Sequence, residues 1–209
     1  MPYSGLSMGR RCASALLALI VLAAPVIGDN FSSPAWKDEI SHGYLPYHRL
    51  TYDDFPIANG VPTPHLMHTQ GFLHYSFQAS WKSDGDSATA HITEMSIRSG
   101  FDQNRSWQQS GITETKALLA HEQGHLDINE LYANQFRENP LPTGTASTGP
   151  EAMEDLKQKV EAISQRCEEG SKQEQARYDE DTNHGANQDE QNRWNQDLAK
   201  RLAAAHITR

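Results

Sequence analysis

The sequence predicts an α+β fold, a small antiparallel sheet followed by a long amphipathic helix and further C-terminal helices, and three observations carry that prediction. Apolar and polar residues alternate up to about Gly111. From Thr113 the apolar residues recur at steps of three and four. A Pro/Gly/Thr/Ser stretch from Asn139 to Gly149 then separates that helix from further helical segments. At 209 residues, 37% apolar and 22% charged, the chain is long enough for one sizeable core, expected as a single domain over 29–209, mainly β to residue 112 and mainly α from 113.

Ahead of that domain, Arg10 and Arg11 precede an apolar run from Ala13 to Ile27 that exits through Gly28, Asp29 and Asn30. A charged start, an apolar core too short for a full bilayer crossing and a small-residue exit at Val26-Ile27-Gly28 predict a cleaved signal peptide over residues 1–28. The expectation is an exported protein, periplasmic or extracellular, with no stable membrane insertion after cleavage. The paired arginines also permit twin-arginine export, and Cys12 does not follow a finished apolar core as a lipid-attachment cysteine would.

Without the leader, Cys167 is the only cysteine, so the fold is expected to rest on packing, with a metal as an optional aid, rather than on a disulfide. With Arg10 and Arg11 gone, the 18 basic residues become 16 against 27 acidic ones, a net charge of about −11. Phosphate binding relies on clustered Lys and Arg, and no basic stripe interleaved with aromatics occurs, so nucleic acid is not an expected partner.

In the first half, Leu73, Tyr75 and Phe77 fall on one side of a strand and His74, Ser76 and Gln78 on the other. A second run from Ala88 to Ile97, across Asp84-Gly85-Asp86, pairs with it as a hairpin.

In the second half, Thr113 is the expected N-cap and Asn139-Pro140 the stop of a helix. Leu118, His121, His125, Ile128 and Tyr132 form its buried stripe. Pro150 suits the first turn of another helix, in which Met153, Leu156, Val160, Ile163 and Cys167 make a narrow seam. Two heptads of seam predict ordinary helix packing rather than a coiled coil. Gly170 is expected to interrupt, a polar helical stretch to resume to Tyr178, and Asn183-His184-Gly185 to turn. A last helix carries Gln191, Trp194, Leu198 and Leu202 on one face.

The chemistry is concentrated in His121-Glu122-Gln123-Gly124-His125. Residues four apart on a helix lie one turn apart and ~40° around the axis, so both imidazoles reach one ion, with Glu122 beside them as a base for water. That is the working part of many zinc metalloproteases, and the alternative is a pair of satisfied core histidines. A hydrolytic zinc site has three protein ligands and an open position. Glu130 is nine residues from His121, on the opposite face, and Asp127 is also off the face. His184 stands at a break between helices, where Gly185 permits a sharp turn; a metal ligand and an exposed loop histidine are both open readings of it. A second group, His65, His68 and His74, reads as loop and strand-face histidines rather than as another metal site.

Ala120 to Tyr132, AHEQGHLDINELY, resembles the signature of a bacterial domain-of-unknown-function family described as predicted secreted zinc-dependent proteases. His48-Arg49-Leu50-Thr51-Tyr52-Asp53-Asp54-Phe55 resembles its N-terminal strand and Asp-Phe motif. Ser106-Trp107 has a counterpart, and Tyr178-Asp179 with Thr182-Asn183-His184-Gly185 resembles its C-terminal motif. The resemblance runs from about Leu50 to Leu198. It implies a zincin-like active-site helix and His184 as the third zinc ligand, with Asp179 as the fallback, either as a ligand or as an acceptor orienting a ligand imidazole.

The expected function is thus a periplasmic or extracellular zinc-dependent metallopeptidase acting on a peptide or protein substrate. His121, His125 and His184 would hold Zn²⁺, and Glu122 would act as general base. Tyr178 is the candidate donor to the tetrahedral oxygen, its alternative being a packing tyrosine. A strand before Thr113 would supply the edge along which an extended peptide lies. Two other functions fit the same residues: a non-catalytic, metal-stabilised envelope interaction protein, and a zinc hydrolase acting on peptidoglycan amides.

Overall fold

Helix α1 (Pro34–Ser41) begins at Ser33, whose hydroxyl accepts from Trp36 N at 3.3 Å, and places the Trp36 ring in the interior. It opens a mixed α+β architecture, seen in a computed structural model that describes residues 32–59 and 65–209. The leader expected over 1–28, with Arg10, Arg11 and Cys12, lies outside the described residues.

Strand β1 (Tyr44–Pro46), a 3-10 turn at Tyr52–Asp54, β2 (Ile57–Ala58) and β3 (Met67–His68) follow. The expected hairpin is present and longer than its alternation suggested: β4 (Gly71–Asp84) pairs antiparallel with β5 (Ser87–Asp102), and Asp84 faces Ser87 across a turn in which Gly85 takes φ +59°. Tyr75 lies opposite Ile97, and a bulge between Gln78 and Ala79 shifts the register beyond it. Leu73, Tyr75 and Phe77 share one face, which packs on the core.

Short strand β6 (Trp107–Gln109) lies between β2, which it pairs in parallel, and β3, which it pairs antiparallel. The expected small antiparallel sheet is therefore one of two sheets, the second being mixed.

Helix α2 (Lys116–Glu138) starts two residues later than expected, because Thr115 and not Thr113 is the cap. Thr115 Oγ1 accepts from Leu118 N at 3.1 Å, while the Tyr52 hydroxyl donates to Thr115 O and accepts from Thr115 N, both at 2.8 Å. Its other end is Asn139, as Asn139-Pro140 foretold.

The stretch expected to be a loop contains a strand, β7 (Thr143–Ala146), paired antiparallel with β5 from Ala88 to His91. Four residues with a central glycine show no readable alternation. A Cβ on Gly144 would overlap the carbonyl oxygen of Ala152, so glycine is what lets the strand pass under the next helix.

That helix, α3 (Gly149–Thr182), is continuous, and Gly170 does not interrupt it. The residue is glycine because the Tyr132 ring from α2 lies against the backbone there, where a Cβ would overlap Tyr132 Cε1. Helix α4 (Gln188–Ala204) buries Gln191, Trp194, Leu198 and Leu202, the expected face.

Three apolar clusters form the interior, and α2 enters all of them. Phe136 joins Leu156, Val160 and Ile163 of α3 beneath the hairpin; Ile128 and Leu131 meet Tyr178 and the face of α4; Leu126 packs with Leu50, Phe55, Met67 and Phe101. At about 1.5–3 kcal/mol for each large apolar side chain withdrawn from water, burial of Leu126, Ile128, Leu131 and Phe136 anchors the helix bearing the histidine pair on three sides. Among the described residues, no helix is long and apolar enough to cross a membrane.

Candidate metal centre

Helix α2 crosses the last turns of α3 so that His121, His125 and Asp179 face one another. His121 Nε2 and His125 Nε2 stand 3.2 and 3.1 Å from Asp179 Oδ1. The two imidazoles lie 4.9 Å apart, centroid to centroid, at 84°. Donor atoms arranged tetrahedrally at zinc bond lengths of ~2.0–2.1 Å are spaced by ~3.3 Å, which the two N···O separations match, and all three donors lie within 4.8 Å of one another. It is the one group of this kind among the described residues.

The unpaired polar atoms lead to the same place. Thr69 Oγ1 and Glu122 Oε2 are buried without a hydrogen-bond partner, and both residues line a single cleft of about 560 Å³ together with His121, His125 and Asp179. Buried polar atoms left unpaired are rare and costly. A group bound in the cleft would satisfy Glu122 Oε2.

Charge in the metal-free chain is strongly coupled. Burial alone would raise Asp179, but the two imidazoles outweigh it and hold the carboxyl well below the usual carboxylate range. Burial alone would push His125 down, but Asp179 and Glu122 outweigh it, and the ring titrates above its ordinary value of 6.5.

His184 is close by but placed differently. Its Nδ1 is 3.4 Å from Asp179 Oδ1, yet its side chain is 52% exposed against 5% for His121, and it lies outside the three-atom group. The expected turn is there: Asn183, His184 and Gly185 all take positive φ, and His184 N donates to Asp179 O at 2.9 Å, the 6→1 bond that ends many helices. Gly185 passes so near the first ligand that a Cβ would stand 3.1 Å from His121 Cβ and Cγ.

Tyr178 is not in the cleft. It is fully buried and stacks on the His121 ring at 4.9 Å and 14°, while its hydroxyl donates to His121 O at 3.0 Å and accepts from Gln191 Nε2 at 2.6 Å. Burial raises its pKa further from the physiological range. The residue supports the His121 ring from behind and does not present its hydroxyl to the cleft.

The second histidine group divides. His74 pairs with Glu39 at 3.1 Å on β4, as a strand-face histidine should, whereas His65 and His68 line the cleft. The His65 ring lies 4.7 Å from that of His184, and the His68 ring 6.0 Å from Trp107. Burial pushes His68 below its ordinary pKa.

The acids set aside on helical geometry are engaged elsewhere. Asp127 accepts from Tyr47 at 2.8 Å, from Gln123 Nε2 at 3.0 Å and from Arg209, and Glu130 from Ser99 and Arg137.

Each matched motif has a place in this arrangement. Gln123 Oε1 accepts from Leu50 N at 2.7 Å and its amide donates to His48 O at 3.3 Å, tying the His48–Phe55 segment to α2. Ser106 accepts from Gln70 N at 2.9 Å and donates to Asp102 O at 2.7 Å, which fixes the chain just beyond β3. Gln191 was not foreseen as part of the site. Its signal was a lone amide on the otherwise apolar face of α4.

Residues 58–185, more than half of the chain, match the model of a family described as "Bacterial protein of unknown function (DUF922)". No curated protein and no solved structure matches.

Proposed function

We propose, from the premise that the chain belongs to this bacterial family of unknown function, that it is a zinc-dependent hydrolase of peptide bonds. The observation that carries the reading is the convergence of His121 Nε2, His125 Nε2 and Asp179 Oδ1 at ligand spacing, in a cleft that also holds the unpartnered Glu122 Oε2. A purely structural zinc site closes its fourth position with protein; this donor set opens on a cleft of about 560 Å³.

His121, His125 and Asp179 would hold the ion, with His184 beside Asp179 orienting its carboxylate. When bound, zinc supplies the Lewis acidity that activates water and polarises the scissile carbonyl. Glu122 takes the proton of the attacking water on Oε2 and returns it to the leaving amine. With Tyr178 turned away, His68 is the candidate donor to the tetrahedral oxygen: it lines the same cleft, and its depressed pKa keeps it neutral with one N–H to offer.

Peptide is the favoured substrate because β3 both lines the cleft and ends its sheet. Gln109 N donates to Leu66 O at 2.8 Å, so by the alternation of an antiparallel ladder Met67 turns its N–H and C=O to the outer edge, where an extended chain can pair.

The test compares zinc-loaded wild type with Glu122→Gln on a casein-type substrate and on peptidoglycan. The variant should keep stoichiometric zinc and lose casein hydrolysis. Equal activity would remove Glu122 as the base, cleavage of peptidoglycan alone would change the substrate class, and no hydrolysis by the zinc-loaded wild type would favour a non-catalytic envelope protein.

A further inference from the structure

We propose that Gln191 of α4 is a positioning residue that sets the tautomer of His121, keeping the proton on Nδ1 and leaving the Nε2 lone pair free for the metal. The inference rests on His121 being a metal ligand, and it does not depend on any hydrolytic activity.

The assignment follows from a closed chain of hydrogen bonds. The His121 carbonyl can only accept, so the Tyr178 hydroxyl, 3.0 Å away, donates to it. With its proton committed there, the Tyr178 oxygen accepts from the group 2.6 Å away, which is therefore the amide nitrogen of Gln191. The same nitrogen donates to Asn195 Oδ1 at 2.9 Å, using its second proton. Gln191 Oε1 is thereby turned to His121 Nδ1 at 3.0 Å. An oxygen that can only accept requires an N–H opposite it, so Nδ1 bears a proton, and an ion seated between Nε2 and Asp179 Oδ1, which stand 3.2 Å apart, meets the Nε2 lone pair.

The reverse amide orientation would draw the Tyr178 proton away from the His121 carbonyl and would require Asn195 to turn its own amide as well. The loop thus begins at the backbone of His121 and ends on its own ring.

Gln191 is 2% exposed and sits among Trp194, Leu198 and Leu202, where an amide is costly to bury unless every group is paired. Its three bonds satisfy both amide protons and one oxygen lone pair. It also lies 70 residues from His121 and beyond the residue, 185, at which the family match ends. The last helix therefore belongs to the metal centre although it supplies no ligand.

Zinc affinity is measured on the full chain by competition with a chelating dye, for wild type, Gln191→Leu and Gln191→Glu. Loss of an acceptor behind a ligand histidine typically weakens metal binding ~10–100-fold, the loss expected for Gln191→Leu. Gln191→Glu keeps an acceptor opposite Nδ1 but loses the amide protons given to Tyr178 and Asn195, so it should bind zinc more tightly than Gln191→Leu without matching wild type, whereas a role in packing alone makes a buried carboxylate as damaging as leucine. Unchanged affinity in the leucine variant overturns the proposal, as does a well-folded glutamate variant as weak as the leucine one.

The tautomer is also read directly, without variants, from long-range ¹H–¹⁵N spectra of the histidine-labelled wild type. The spectra are taken on the zinc-loaded chain; a wild type that takes up no zinc removes the metal reading, and the proposal with it. His121 protonated at Nδ1 upholds the assignment, and His121 protonated at Nε2 overturns it.

Discussion

Gly124 and Tyr178 share one space: a Cβ on Gly124 would stand 2.5 Å from Tyr178 Cζ and overlap its hydroxyl. The glycine inside the histidine motif is thus there for the tyrosine, whose hydroxyl must reach the His121 carbonyl. Gly124→Ala should displace Tyr178, lower stability by about 1–3 kcal/mol as overpacked cores do, and weaken zinc binding. Urea denaturation and dye competition measure the two effects. A variant as stable as wild type, with unaltered zinc affinity, would show that the ring has room to move.

Asp179 and His184 should differ in degree. Asp179→Ala removes one of three converging donors and should leave the purified chain without stoichiometric zinc by mass spectrometry. His184→Ala should retain the ion with reduced affinity. The opposite ranking would return the third-ligand role to His184.

In the metal-free chain, stability should fall as pH rises above neutrality. The folded pKa of His125 is raised above 6.5, so its contribution is complete below that value and is lost as pH climbs through the folded pKa. The depressed pKa of Asp179 contributes above its ordinary 3.8 and loses that contribution as acid is added. Melting temperatures from pH 5 to 9 should therefore decline toward the alkaline end, while zinc affinity rises over the same range because the ion must displace the His125 proton. A melting temperature that rises with pH would contradict the ion pair.

Arg209→Met leaves the nearly fully buried Asp127 without its cation. Breaking a fully buried pair costs about 3–5 kcal/mol; with the arginine about one-third exposed, a loss of about 1–3 kcal/mol is expected in urea denaturation. Hydrolytic activity per folded molecule should be unaffected, since the pair lies on the face of α2 away from the ligands.

His68→Ala should reduce kcat on the casein-type substrate while leaving bound zinc unchanged. A normal kcat would exclude His68 as the donor to the tetrahedral oxygen.

What could be read in the sequence was whatever repeats with a local period. The hairpin showed in Leu73, Tyr75 and Phe77, α2 in the spacing from Leu118 to Tyr132, and α4 in Trp194, Leu198 and Leu202. The same geometry placed His121 and His125 together and turned Asp127 and Glu130 away.

Features that depend on another part of the chain were not readable. Gly170 looks like a breaker until Tyr132 is seen against it, and β7 needs the end of β5 to be a strand. Tyr178 and Asp179 are neighbours in sequence, yet the crossing of α3 over α2 gives one to the core and the other to the group of possible metal donors. Gln191 was legible as a member of a buried face, but its partner is 70 residues away.

The three donor atoms come from two helices, while His68 and Thr69 on the facing wall belong to β3 and the residue after it. On the proposed function, coordination and substrate admission fall to separate pieces of the chain. A wider gap between β3 and α2 would then leave the three donor atoms where they are, so the entrance can evolve in width and lining while the centre behind it stays as it is.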